Sequence, residues 1–441
     1  MTLVRESESD RVYQWYCHIL LTFGFILSTV DRHIAAVVAV PMKTALGLSD
    51  TQLGLVQGFA FALCYATAAI PIAWLIDRGN RVRIIAICVG VWSVGTAISG
   101  MASGFATLLF GRTVTAVSEA GYSPGALSLI SDFFARRNVA KATALYMLAP
   151  SIGLGLSLIC GGLLLGHFER SGGLSIPIIG TFAPWQSVFI AAGIPGLVLA
   201  ALMVFTIGEP PRRTLRNDRK TDTKAEQSLA DVARSLAPFL VPYVLGCTLI
   251  LLVMFSLAAW SSTFFVRAFN MSASDASSAL GPAVLIGGIL GPVIASMLVA
   301  RPAEDRIIER MTRIAVGAGL VTAGTVLLLN WVESRLAATI LVTICIMSSS
   351  TVAPMVVSPT QIMVPNRLRG RTQAISSFVF TIVAGGIGPT LIGVTTDQLF
   401  RDEARLGSSI ALVCSISAIL GVAAILISRR YIPSVSAVAE T

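Results

Sequence analysis

Four ionisable residues lie inside apolar stretches of this chain: Asp31 and Arg32 in one, Arg112 and Glu119 in another. A charge at mid-bilayer costs about 2.5–3.5 kcal/mol on insertion scales, so four facing lipid alone would cost about 10 kcal/mol. Two acids and two bases can neutralise one another and remove much of that cost. Such a set can hold an ionic ligand, carry a proton, or exchange partners when one acid is protonated. Arg112 and Glu119 are separated by two helical turns, so they share a face and differ in depth by about 10 Å. Asp31 falls level with Arg112, and Glu119 falls within reach of the long Arg32 side chain. The alternative is a static ion-pair staple between two helices. A staple needs only one pair, whereas a balanced quartet can exchange partners.

The elements that position these residues are membrane spans. The chain has 441 residues, 55% hydrophobic and 12% charged, with mean hydropathy +0.80. Soluble domains carry about 25% charged residues, so the composition describes a polytopic membrane protein without a large soluble domain. About 20 apolar residues cross the hydrocarbon. Twelve stretches meet that length, near 15–40, 52–76, 83–103, 105–131, 141–166, 185–207, 239–266, 277–299, 311–330, 336–361, 371–396 and 408–428. The runs lack the ten-residue alternation of a β-barrel. The third and fourth are separated only by Met101–Gly104.

Lys and Arg set the expected orientation. With twelve spans, the tails and even-numbered connections share one side, which holds 24 of the 32 Lys and Arg; the other side holds 6. This bias places both termini in the cytoplasm of a cell whose inner, or plasma, membrane holds the protein. It also accounts for the net charge of +9 through anionic membrane lipids, without nucleic acid. Residues 1–14 are polar and the first apolar run is too long for a signal peptide, so no cleaved leader is expected.

The chain divides into a tail (1–14), a six-helix bundle (15–207), a connection (208–238), a second bundle (239–428) and a tail (429–441). The connection opens with Glu209-Pro210-Pro211 and continues through Arg212, Arg213, Arg216, Arg219 and Lys220. Leu229, Val232, Ala233 and Leu236 then recur at helical spacing, which predicts a short amphipathic helix on the inner surface; a plain solvated linker is the other reading. The halves repeat one another. Ser118–Pro124 parallels Ser348–Pro354, and Arg136–Ala144 parallels Asn366–Ala374. Ser49-Asp50-Thr51-Gln52 is a capping box before the second span, and Ser274-Asp275 holds the comparable place before the eighth. Parallel halves imply a transporter with a site between them.

Asp77-Arg78-Gly79-Asn80-Arg81-Val82-Arg83 joins the second and third spans. It resembles the G-x-x-x-D-R-x-G-R-[RK] loop of the major facilitator superfamily. Asp77, Arg78 and Arg81 match, Ala73 and Asn80 replace the two glycines, and the last basic position has moved to Arg83. The resemblance implies that Asp77, Arg78 and Arg81 serve a cytoplasmic gate. Thr29–His33, Gly111–Ala120 continuing to Pro124, Gly54–Gln57 and Trp92-Ser93 further resemble the Spinster branch, over roughly residues 25–165. Ala116 and Ser118 depart from it where Gly is usual. The branch implies an all-α fold of twelve transmembrane helices in two pseudo-symmetric six-helix bundles. It also implies proton-coupled movement of a lysolipid or sphingoid-like molecule.

Within that frame Asp31 and Glu119 are the expected proton carriers, and Arg32 and Arg112 complete the charge network and meet a substrate head group. The interiors of spans seven, eight, ten and eleven carry no charge; span ten offers Ser348, Ser349, Ser350, Thr351 and Gln361. One charged wall and one neutral wall suit an anionic head and an apolar body, with Phe255, Leu257, Trp260 and Phe264 against the tail. Helix packing alone is the other source of a neutral wall. Gly153, Ser157 and Gly161 in span five, and Gly385, Pro389 and Gly393 in span eleven, form small-residue stripes that permit close packing.

No Walker loop, nucleophile elbow or metal-ligand spacing is present. The seven Cys lie singly, and His18, His33 and His167 are dispersed. The expectation is a monomeric secondary transporter, not an enzyme, without cofactor or metal, whose partners are an amphiphilic or lipid substrate, protons and membrane lipids. A small organic anion or drug as substrate is the alternative within transport; a lipid scramblase or transporter-like sensor lies outside it.

Overall fold

A computed structural model describes residues 8–177, 180–212, 229–300, 306–364 and 366–432. Most of the basic connection, including Arg213, Arg216, Arg219 and Lys220, lies outside the described residues, as do the ends of both tails.

The described chain is helical apart from one small hairpin. The first half comprises α1 (Glu8–Val37), α2 (Ala39–Leu46), α3 (Asp50–Gln57), α4 (Phe59–Arg78), α5 (Arg81–Gly100), α6 (Phe105–Glu119), α7 (Tyr122–Phe133), α8 (Arg136–Tyr146), α9 (Ala149–Ser171) and α10 (Pro184–Thr206). Between α9 and α10, β1 (Leu174–Ile176) pairs antiparallel with β2 (Gly180–Phe182). The second half comprises α11 (Leu229–Phe269), α12 (Ala273–Val299), α13 (Ile307–Leu329), α14 (Arg335–Ser350), α15 (Ala353–Met363), α16 (Asn366–Phe380), α17 (Gly388–Val394) and α18 (Leu406–Arg429). π-helical turns at Thr381–Ile387 and Thr395–Phe400 flank α17.

Among the described residues, eleven helical stretches are long and apolar enough to cross a membrane. The expected fourth span is a broken pair instead: α6 has 15 residues and α7 has 12, with the chain turning at Ala120-Gly121. This is the stretch that carries Arg112 and Glu119, whose charges lower its hydropathy. The break expected at Met101–Gly104 is present. Thr107 Oγ1 accepts there from the backbone N–H groups of Ser103 and Gly104 at 3.2 and 3.3 Å.

Helix starts follow their capping chemistry. Ser49 Oγ accepts from Gln52 N–H at 3.1 Å, and Ser49 N–H donates to Gln52 Oε1 at 3.0 Å, the reciprocal box its sequence predicts. Asn80 Oδ1 caps α5 through Arg83 N–H at 2.8 Å. The eighth span differs: Ser272 is its cap, accepting from Asp275 N–H at 3.0 Å, so Ser274 and Asp275 lie inside the first turn. The connection differs too. The helical pattern from Leu229 opens α11, which runs unbroken for 41 residues through Pro238 and Pro242; it is no separate surface helix, and Leu236 is buried.

Two compact units emerge. One spans residues 1–46 and 64–215, the other 47–63 and 216–441. Residues 47–63, in the first half of the sequence, group with the second unit. The core of the first unit centres on Trp92, Tyr122, Tyr146 and Leu129. That of the second centres on Phe239, Tyr243, Ile250 and Met355.

Candidate functional site

In the first unit α1, α5 and α6 bring the four charges together. Glycines allow the approach: a Cβ on Gly95 would lie 2.7 Å from Thr115 Oγ1, and one on Gly111 2.6 Å from Ser99 Oγ. On the other flank of α1, the Gly153–Ser157–Gly161 stripe of α9 packs against Thr29, Ile34 and Val37, and Ser157 Oγ donates to Val30 O at 3.1 Å. This small-residue stripe therefore seats the helix that carries Asp31 and Arg32.

Arg32 Nη2 donates to Glu119 Oε2 at 3.2 Å, the pairing expected from helix depth. The Arg32 guanidinium also lies 4.6 Å from the centre of the Tyr65 ring, a cation–π distance. Arg112 differs from expectation. Its Nη1 donates to the backbone oxygen of Asp31 at 3.0 Å and its Nη2 to that of Arg32 at 2.8 Å. Asp31 Oδ2 accepts from Thr96 Oγ1 at 3.0 Å. A guanidinium fork can span two adjacent carbonyl oxygens, each of which keeps a spare lone pair. Arg112 thus clamps the backbone of α1 at the level of Asp31.

Exposure separates the four. Asp31, Arg112 and Glu119 are 1–3% exposed, whereas the Arg32 side chain is 27% exposed. Asp31 Oδ1 and Glu119 Oε1 are buried with no hydrogen-bond partner among the described residues. A buried acceptor without a donor is costly, and a proton on either oxygen would turn that acid into a donor. Ala116 is fully buried, and Ser118 Oγ donates to Val114 O at 2.7 Å on its own helix. Both departures from Gly are accommodated locally.

At the end of this unit that carries the α4–α5 loop, Arg81 is 2% exposed and its guanidinium gathers two acids. Nη1 meets Asp132 Oδ2 at 2.5 Å, Nε meets Glu209 Oε1 at 2.6 Å, and Nη2 donates to Pro210 O at 3.0 Å. Glu209 Oε2 also accepts from Val82 N–H at 3.0 Å. Asp77 and Arg78 are exposed. Arg78 lies over the Trp74 ring at 4.0 Å. Arg212 caps the end of α4, donating to the backbone oxygens of Asp77, Ile76 and Gly79, where carbonyls otherwise lack partners. Asp132, Glu209 and Arg212 escaped assignment in the sequence. Their only signal was an acid or base at a span end, far along the chain from Arg81.

In the second unit Leu257, Trp260 and Phe264 are 1%, 0% and 5% exposed. Trp260 Nε1 donates to Pro389 O at 2.9 Å. Phe255 is half-buried, edge-on to Phe380 at 5.6 Å between ring centres. The hydroxyls of Ser348, Ser349, Ser350 and Thr351 all bond within this unit, so much of the neutral wall serves packing; Gln361 is exposed. A second ion cluster, unmarked in the sequence, lies here. Arg267 grips both oxygens of Asp50 at 2.7 Å, a bidentate fork, and lies 3.3 Å from Glu403. Asp397 accepts from the backbone N–H groups of Asp50 and Thr51 at 3.3 and 2.6 Å, anchoring the positive end of α3. α3 and α17 approach closely, for a Cβ on Gly54 would lie 2.7 Å from Pro389 O.

Comparison with known proteins matches this architecture. The family model for the Major Facilitator Superfamily matches residues 21–389. An MFS-type efflux pump of Mycolicibacterium smegmatis is 28% identical over 426 residues, covering 95% of this chain and 93% of that one. Protein spinster homolog 1 of Xenopus tropicalis is 26% identical over 410 residues, covering 88% of this chain and 73% of its own. Among solved structures, a bacterial homolog to the human lysosomal transporter Spinster, inward-facing and unoccupied, superposes with TM-score 0.74 at 25% identity, covering 97% of both chains.

Proposed function

Because the chain belongs to the Major Facilitator Superfamily and is a Spinster-like transporter, we propose that it moves an anionic amphiphile, with a lysolipid or sphingoid-like body, by proton-coupled alternating access. It is an integral multi-pass membrane protein that moves small molecules, not an enzyme. The observation that carries the coupling is the buried quartet. Arg32 is bound to Glu119, while Glu119 Oε1 and Asp31 Oδ1 each remain without a donor among the described residues. Protonation of Glu119 would release Arg32 from its ion pair. Arg32 is also the most exposed of the four, so it is the better cation for an anionic head group. Arg112, with Nη1 and Nη2 on the backbone of α1, acts as the clamp that holds Asp31 and Arg32 in register.

In this reading the exposed Asp77 and Arg78 serve the cytoplasmic gate, and Arg81 ties α5 to α7 and Glu209. Phe255, half-buried, is the best placed of the expected tail contacts. Leu257, Trp260 and Phe264 would reach a tail only if their packing opened. Both termini are cytoplasmic in this reading, and the protein acts as a monomer in the cell membrane.

The experiment is substrate-dependent proton movement in proteoliposomes with a pH dye inside. A lysolipid with an anionic head should move protons with its flux, and its uncharged analogue should not. Lipid flux without proton movement would leave a scramblase. The probable galactarate/D-glucarate transporter of Bacillus subtilis, 23% identical over 349 residues, supports a second reading, a small organic anion, and proton movement with such compounds alone would select it.

A further inference from the structure

The ion pair of Arg32 does not by itself fix the plane of its guanidinium. The pair is single-pronged: Nη2 meets Glu119 Oε2 at 3.2 Å, while Glu119 Oε1 has no hydrogen-bond partner among the described residues. Arg267, by contrast, grips both oxygens of Asp50 at 2.7 Å, a fork that sets distance and plane together. Arg112 is set by two carbonyl oxygens. A single N–H···O contact is a pivot, and an Arg side chain has ample rotamer freedom to swing about it.

Tyr65 supplies the missing constraint. Its ring centre lies 4.6 Å from the Arg32 guanidinium carbon, with the guanidinium over the ring. Tyr65 is half-buried on α4, a helix that carries neither Arg32 nor Glu119. Its neighbour Cys64 reaches α6, with Sγ 3.9 Å from the hydroxyl of Thr113, the residue after Arg112. The ring is therefore held from a third side of the quartet, within the same unit. The N–H donors of a guanidinium all lie in its plane. Stacking on a ring occupies the face and leaves the donor edge for an anion. Ring and carboxylate thus hold different parts of Arg32 and do not compete. The attraction of the ring comes from its quadrupole, so it survives when Glu119 takes a proton and the pivot loses its charge.

We propose that Tyr65 is the positioning residue for Arg32. It holds the guanidinium by its face while the edge that meets Glu119 passes to the carboxylate or phosphate of an anionic ligand. The inference rests on the reading of Arg32 as the head-group cation, and it is indifferent to whether the body of the ligand is a lipid chain or a small polyol.

The pair is tested first without ligand, on full-length protein in detergent. Glu119→Gln stands for the protonated carboxyl. In that background the thermal midpoint is measured for Tyr65→Leu, for Arg32→Gln and for both together. A guanidinium held by the ring makes the double loss smaller than the sum of the single losses; additive losses overturn the proposal. Binding is then measured with lysophosphatidic acid, its monoacylglycerol counterpart and D-glucarate. Tyr65→Leu should lower affinity for lysophosphatidic acid about tenfold, within the range of a partly desolvated cation–π contact. Tyr65→Phe keeps the ring and should stay within about twofold, as should the monoacylglycerol in both variants. Phenylalanines with one, two and three ring fluorines, incorporated at position 65, keep the shape of the ring and drain its negative face. Affinity for the anion should fall stepwise along that series. A ring that only fills space gives a flat series, or equal losses for charged and uncharged lipids, and either result overturns the positioning role. Failure of lysophosphatidic acid to bind the wild-type protein would remove that substrate class. The fluorine series is then read with D-glucarate, and non-additive midpoints still support the hold of Tyr65 on Arg32.

Discussion

At the scale of residues, the quartet separates into parts with different burdens. Arg112 is covered and donates to two carbonyl oxygens of α1, so its replacement should loosen the helix backbone before it affects any ligand. Arg32 is partly open and bound to one carboxylate. Arg32→Ala should weaken binding of an anionic lysolipid by about ten- to a hundredfold, the worth of a charge-assisted hydrogen bond of about 1.5–3 kcal/mol. The uncharged analogue should change little, as titration calorimetry on purified protein would show; equal losses for both ligands would remove the head-group role. The four charges were legible in the sequence because each breaks an apolar run. Their pairing was only half legible. Helix depth led from Arg32 to Glu119, but no periodicity reveals that Arg112 will choose backbone oxygens or that Thr96 will serve Asp31.

At the scale of elements, position depends on close packing and on ion clusters at helix ends. The break between α6 and α7 explains why the fourth span falls short of a continuous crossing helix. The small-residue stripe of α9 was visible as a pattern, while its partner, α1, was not. Arg81 was recognised by its motif, yet its partners Asp132 and Glu209 lie 51 and 128 positions away, and nothing local announces them. Removing the cation would leave two acids facing each other in a covered site. Arg81→Ala should therefore cost about 3 kcal/mol or more of stability and lower the thermal unfolding midpoint in detergent. Asp77→Ala, at an exposed position, should leave that midpoint in place and lower turnover instead. An equal fall in both variants would contradict the division between structural anchor and gate.

At the scale of the whole molecule, hydropathy, the Lys and Arg bias and the duplicated halves made the membrane fold legible before any coordinate. The grouping of residues 47–63 with the second unit was not, because it depends on Arg267 and Asp397 meeting α3 across more than 200 positions of sequence. The orientation is open to a direct check. Single Cys labels on a Cys-free background should place residue 220 and both tails on the cytoplasmic side, and labelling of residue 220 from outside alone would invert the assignment. The central claim is that the buried acids couple substrate to protons. It is tested most directly by comparing pH-driven accumulation with substrate exchange in proteoliposomes for Asp31→Asn and Glu119→Gln. The account predicts that at least one variant loses accumulation while retaining exchange, since the fold and the ligand contacts survive and only the proton step is lost. Accumulation at the wild-type level in both variants, with unchanged pH dependence, would contradict it and leave the quartet as a staple between α1 and α6.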